Sequence, residues 1–170
     1  MLSLNQASVE YLSPLDEERL VQLASESCQF RVAEQGEEVI GFILALAKGA
    51  QYSSVNYRWF ATRYQHFVYI DRVVVRSDCR GLGLARQFYE ALEAWARQHT
   101  MVRLTCEVDV VPPNVASLAF HDKAGFKEVG QQVVAGQSGD RGKGEKVVAL
   151  YAKVLESLKA PGEKDALLYE

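Results

Sequence analysis

Two apolar rhythms meet in the middle of this chain. Tyr69–Arg76 is dense in β-branched and aromatic residues, as suits a buried, pleated strand. From Leu84 the apolar positions fall instead at Leu84, Phe88, Leu92 and Trp95, the spacing of one helix face. Arg86, Glu90, Glu93 and Arg97 take the opposite face, with Glu93 four residues before Arg97 in the better ion-pair orientation. Between strand and helix lie Arg76-Ser-Asp-Cys and Arg80-Gly-Leu-Gly-Leu-Ala. The pattern predicts a strand feeding a glycine turn that opens a helix.

The same reading extends outward. Met1–Ser13 shows little pattern. Ser13-Pro14 signals a helix start, with Ser13 as cap, Pro14 in the first position and Asp16, Glu17 and Glu18 at the positive end of the dipole. Leu15, Leu20, Leu23 and Ala24 carry its stripe to about Glu26. Cys28–Glu34 and Val39–Ala47 flank Gln35-Gly36-Glu37 and predict an antiparallel hairpin. Lys48–Gln65 breaks the regular pattern and holds Tyr52, Tyr57, Trp59, Phe60 and Tyr64, interleaved with Arg58 and Arg63. Such aromatics either line a substrate pocket or pack an extended loop or a dimer contact.

Val102–Val108 alternates as a further strand, so Tyr69–Val108 reads as strand, right-handed crossover helix, parallel strand. Val111-Pro112-Pro113 ends it, Asn114 caps a short helix over Val115–Ala124, and Gly125 stops that helix. Phe126–Ala135 and Lys146–Leu155 form a final hairpin around Gly136–Gly144, whose glycines suggest a mobile tip. With no internal repeat or boundary, the expectation is a single domain over 1–156 and a loosely held tail over 157–170.

Composition narrows the class. At 170 residues the chain can bury a full core. Its 19 basic and 22 acidic side chains give a net charge of −3, which argues against nucleic acid or an anionic membrane as partner. No apolar run reaches the ~20 residues of a membrane span, and no signal peptide is visible. Cys28, Cys79 and Cys106 are unpaired in number and widely spaced, the usage of a cytoplasmic protein with reduced thiols. Three scattered histidines offer no metal-ligand spacing, so no metal is expected.

The glycine turn carries the chemistry. Free amide N–H groups at such a helix start attract anions, phosphates above all. A dinucleotide fold would need a small residue where Arg86 stands and repeated strand–helix–strand units; a nucleoside-triphosphate loop would need Gly-Lys-Ser/Thr. Neither is present. On the second helix Asn114, Ser117 and His121 fall at i, i+3 and i+7, one face.

Arg80, Gly83 and Ala85 meet the pattern Arg/Gln-x-x-Gly-x-Gly/Ala, and Asn114-Val-Ala-Ser-Leu-Ala-Phe-His-Asp-Lys-Ala-Gly-Phe126 meets Asn-x-x-Ala/Ser…Gly-Phe. With these motifs in this order, the chain resembles the GCN5-related N-acetyltransferase superfamily from about Leu15 to Leu155. The resemblance implies an α/β (α+β) fold, a mixed central sheet of about six to seven strands with helices on both faces. It implies direct transfer of an acetyl group from acetyl-coenzyme A to a primary amine, of a small molecule or a peptide. It places Val73, Val74 and Val75 against the pantetheine arm, and the amides of Arg80, Gly81, Leu82, Gly83, Leu84, Ala85 and Arg86 around the pyrophosphate. Asn114 and Ser117 join the cofactor site.

The family usually has Tyr four residues before Gly-Phe, protonating the departing thiolate; this chain has His121. An imidazolium can donate that proton; alternatively His121 only packs or hydrogen-bonds there. Asp71, on the strand parity of Tyr69, Val73 and Val75, is the candidate base or amine-binding acid, with Glu107 and Asp109 as alternatives. Cys79 and Cys106 read as inert. The missing Tyr leaves a second hypothesis, a weakly active or inactive coenzyme A-binding regulator of the same fold. The acceptor pocket is expected from Gly49–Gln65 and Gly136–Gly144.

Overall fold

The computed structural model describes residues 1–9, 12–134 and 146–155. In chain order the elements are α1 (Leu2–Gln6), α2 (Glu17–Glu26), β1 (Gln29–Gln35), β2 (Glu38–Ala47), α3 (Val55–Ala61), β3 (Phe67–Val75), α4 (Leu84–Gln98), β4 (Arg103–Val111), α5 (Val115–Lys123), β5 (Lys127–Val134) and β6 (Lys146–Val154). One mixed sheet of six strands runs β1-β2-β3-β4-β6-β5. Its single parallel pair is β3–β4, joined by the α4 crossover; the remaining neighbours are antiparallel. The glycine-rich segment Gly136–Gly144 and the tail after Leu155 lie outside the described residues.

Each face of the sheet has its own core. On the α4–α5 face, Ile43, Val68, Ile70, Leu104, Cys106 and Val108 pack against Phe88, Tyr89, Leu92 and Phe126. On the other face, Leu44, Leu46, Phe67, Tyr69, Val148 and Leu150 pack against Leu23 of α2 and Tyr57 and Phe60 of α3. Strand side chains alternate between the faces, so β4 sends Leu104, Cys106 and Val108 one way and Thr105, Glu107 and Asp109 the other.

Four expectations are corrected. Met1–Ser13 contains α1, whose Asn5 is buried and donates to the Ser13 carbonyl at 3.0 Å. That contact holds Ser13 outside the helix, so Asp16, not Ser13, caps α2, accepting from the Arg19 amide at 2.7 Å. Lys48–Gln65 holds a helix, α3, capped by Ser54. Its Tyr57 and Phe60 are helically spaced and packed in the core, and Tyr57 with Tyr52 also borders an open cavity.

The fourth concerns Asp71. Leu44 pairs with Arg72 and Ala45 with Ile70, so Asp71 is an extra residue on β3. The bulge resets the alternation. Asp71 keeps the face of Tyr69, bonded there by Tyr52, whereas Val73 packs against the α4–α5 core. The common parity expected for Asp71, Val73 and Val75 does not hold.

Candidate active site

The site begins where β3 and β4 part. They pair only over Phe67–Tyr69 and Arg103–Thr105. Beyond that seam β3 keeps its β2 partner as far as Val75 but has no ladder to β4. The backbone of Val73–Val75 therefore presents an edge inside the sheet, free to pair with an extended ligand.

β3 runs from this edge into a short turn, Ser77–Cys79, and then the glycines. Arg76 fastens the turn, bonding Glu38 of β2 and Asp78, each at 2.7 Å. Gly81 and Gly83 take φ of 77° and 84°, the left-handed region that suits glycine, and a Cβ on either would meet open space. Gly83 is the N-cap of α4, and no side chain caps the helix. Its first amides thus face outward with the positive end of a fifteen-residue helix behind them. Arg80 is exposed and donates from Nε to the Val75 carbonyl at 3.3 Å; Arg86 is exposed and paired with Glu90 at 2.7 Å. Open glycine backbone, an uncapped helix start and a free strand edge fit a ligand with a diphosphate and an amide-bearing arm.

On the α4–α5 face, Asn114 is the cap of α5, its Oδ1 accepting from the Ser117 amide at 3.1 Å. His121 is buried. One ring nitrogen, Nδ1, lies 2.8 Å from the Ser117 carbonyl, and the other, Nε2, lies 2.8 Å from the Tyr89 hydroxyl of α4. The arrangement is complete for a neutral ring that donates through Nδ1 and accepts at Nε2. Burial lowers its pKa from the ordinary 6.5, partly offset by the Ser117 carbonyl.

The opposite face of the seam holds a connected polar group. Glu107 is deeply set yet still touches solvent, and the Tyr69 hydroxyl donates to its Oε2 at 2.7 Å. Burial pushes the Glu107 carboxyl up to about 7; the Tyr69 hydroxyl and the Asn56 amide oppose that rise, and the Asp71 charge adds to it. Asp71 is bonded by the Tyr52 hydroxyl and paired with Arg72 at 2.6 Å, both side chains almost fully buried. Arg72 reaches on to Asn5 Oδ1 at 3.0 Å, so α1 is tied into the same chain of bonds. Burial, followed by the Asp71 charge, raises the Tyr52 pKa above its usual value. Asp109 stands apart, paired with Lys146 at 2.8 Å.

The sequence-predicted residues thus fall in three places. Val73–Val75 and Arg80–Arg86 form one continuous edge and turn. Asn114, Ser117 and His121 share α5, and Asp71 lies on the other face of the sheet. Sequence reasoning passed over Tyr52, Asn56, Tyr69, Tyr89 and Gln132 as polar partners. Tyr89 alone had a visible signal, a hydroxyl beside the core positions Phe88 and Leu92 of an amphipathic helix. Among the described residues no group of three or more His, Cys, Asp or Glu is placed to hold a metal, and no helix is long and apolar enough to cross a membrane. Cys28, Cys79 and Cys106 are all free.

Comparison with solved structures finds the same fold repeatedly. A ribosomal-protein-alanine N-acetyltransferase from Brucella melitensis is 23% identical, with a TM-score of 0.66 over 91% of this chain and 91% of that one. An N-acetyltransferase from Staphylococcus aureus is 20% identical, with a TM-score of 0.66 over 91% of this chain and 90% of that one. An acetyltransferase from Bacillus anthracis, solved with acetyl coenzyme A, is 21% identical, with a TM-score of 0.55 over 74% of this chain and 61% of that one. No functionally curated protein matches the chain in sequence. The family model for the Acetyltransferase (GNAT) family matches residues 2–126, so the chain belongs to that family and is an acetyl-CoA-dependent N-acetyltransferase.

Proposed function

We propose that the edge of Val73–Val75 and the amides of Arg80–Arg86 hold the coenzyme, and that Glu107 takes the proton from the acceptor amine. The observation that carries this reading is the parting of β3 from β4 after Tyr69 and Thr105, directly ahead of the glycine turn. Bound acetyl-CoA supplies the acetyl group as an activated thioester. Val73–Val75 align its arm by strand pairing, and Gly81 and Gly83 let the backbone approach the diphosphate. Arg80 and Arg86 add positive charge at the rim, while Asn114 and Ser117 shape the α5 wall.

Glu107 suits the base because a carboxyl titrating near 7 is divided between its two forms at neutral pH. Tyr69 holds one of its oxygens in place. Asp71, buried against Arg72, anchors Tyr52 and the bulge. His121, neutral with both nitrogens engaged, braces α5 against α4 through Tyr89. Much of the rate then comes from holding amine and thioester together.

The acceptor is a primary amine approaching on the α2–α3 face. A cavity of about 530 Å³ opens there, lined by Lys48, Tyr52, Tyr57, Arg58 and Ala61 among others. The free cysteines suit a cytoplasmic setting.

Gly83→Val tests the donor site. The substitution strains a φ of 84° and fills space at the turn. Calorimetric titration with coenzyme A is expected to show at least a tenfold loss of affinity, about 1.4 kcal/mol. Unchanged affinity removes the assignment.

A further inference from the structure

Glu107 has a second polar neighbour, the Asn56 side chain, whose orientation is set from a distance. Asn56, in the first turn of α3, is buried between Gln132 of β5 and Glu107 of β4. Gln132 Nε2 donates to Asn56 Oδ1 at 2.9 Å. A side-chain amide has one accepting arm and one donating arm, so fixing the first fixes the second. The Asn56 NH2 is thereby turned away from Gln132, and the Asn56 side chain holds the Glu107 pKa down. The seating of α3 that makes this geometry is itself specified. At Gly130 of β5 a Cβ would stand 2.9 Å from Trp59 Cζ2, so only glycine lets the Trp59 ring settle on the strand.

The groups facing Glu107 are few. From β3 come Tyr69 and Asp71, the latter paired with Arg72 and bonded by Tyr52 from the segment before α3. Tyr89 of α4 and Cys106 of β4 feel its charge from the other face of the sheet. On β4 itself Asp109 is occupied by Lys146 of β6. Among the described residues Tyr69 hydrogen-bonds the carboxylate, and the Asn56 side chain and the Glu107 backbone also favour its charged form. These few groups act against a deep setting and a nearby carboxylate, so losing any one of them matters.

We propose that Asn56 and Gln132 are positioning residues: Gln132 orients the Asn56 amide, and the amide holds the Glu107 carboxylate in the geometry and bonding state that proton removal needs. The inference rests on the reading of Glu107 as base. It joins β5, α3 and β4 into one unit, so the far edge of the sheet helps set the chemistry at its centre.

The test reads Glu107 directly, by 13C NMR titration of the glutamate carboxyls in the coenzyme-free protein, with Glu107→Gln to assign the signal. It also follows the pH profile of kcat/KM for the best acceptor from an amine panel. Asn56→Leu is expected to move both the titration and the acidic limb upward by about one pH unit. Gln132→Glu, an acceptor only, turns the amide over and moves them further the same way. Gln132→Lys, a donor only, leaves them at or below the wild-type position.

An unmoved Glu107 titration in folded Asn56→Leu overturns the proposal, as does Gln132→Glu behaving like Gln132→Lys. Should Asn56→Leu not fold, the two Gln132 variants decide alone. A Glu107→Gln enzyme that keeps full activity sinks the base reading instead, and the titrations still report on the amide.

Discussion

Glu107 and His121 stand on opposite faces of the sheet, both deeply set and each within hydrogen-bond reach of a tyrosine hydroxyl. Burial moves them in opposite senses. It raises the carboxyl toward neutral pH and lowers the imidazole away from it, because each is pushed toward its uncharged form. The bonding differs as well. His121 spends both nitrogens on Tyr89 and Ser117, whereas Glu107 is met by donors that favour its charged form. Similar burial therefore leaves one group neutral and fully bonded and the other near the midpoint of its titration at neutral pH. On the proposed reading, the position that the family pattern marks for proton chemistry serves here as a brace.

The contrast has consequences for stability. Glu107 binds its proton more tightly in the folded chain than in the unfolded one, where its pKa is near the ordinary 4.5. Its contribution is fully present below that value and is lost as pH rises through about 7. His121 has the reverse sign: its folded pKa lies below 6.5, so stability is lost as pH falls below that point.

The strongest way to break the comparison is Glu107→Gln. It should lower kcat/KM by roughly 10²–10⁴-fold at neutral pH, and its melting temperature should exceed that of the wild type at pH 8 but not at pH 4. Asp71→Asn sharpens it by removing the paired carboxylate rather than the poised one. Leaving Arg72 buried without its counter-charge should cost about 3 kcal/mol in urea unfolding, and a variant as stable as wild type would refute the anchoring role of Asp71. The smallest effect is expected from His121→Phe. With the Tyr89 hydroxyl left without a partner, the loss is about 1–3 kcal/mol of stability, while the pH profile of kcat/KM keeps its shape. A vanished alkaline limb would return the proton-donor role to His121.

Much of the fold was legible because its signals are local. The glycines at 81 and 83 and the Leu84–Trp95 stripe located the start of α4, and Asn114 located α5. The proposed donor side was therefore readable as one run of residues. The α2–α3 face was not. α3 is only seven residues long, too short for a clear period amid aromatics that also suit strands or loops. The bulge at Asp71 leaves no local mark, since the extra residue is defined by its partner on β2. Tyr69 of β3 and Asn56 of α3 act on Glu107, and Gln132 of β5 on Asn56, and no spacing in the chain announces contacts of that range.

The three-pair seam between β3 and β4 has a mechanical side. It divides the sheet into two half-sheets, β1–β2–β3 and β4–β6–β5, that share little backbone bonding. Such a joint is compliant: amides of 73–75 are expected to exchange hydrogen faster than those of 67–69 in the coenzyme-free enzyme. A coenzyme lodged in the gap acts as a rivet between the halves. At a hundredfold excess over its Kd it would stabilise the chain by about 2.7 kcal/mol. On the proposed reading the enzyme would stiffen as it loads its donor and soften again when the spent coenzyme leaves.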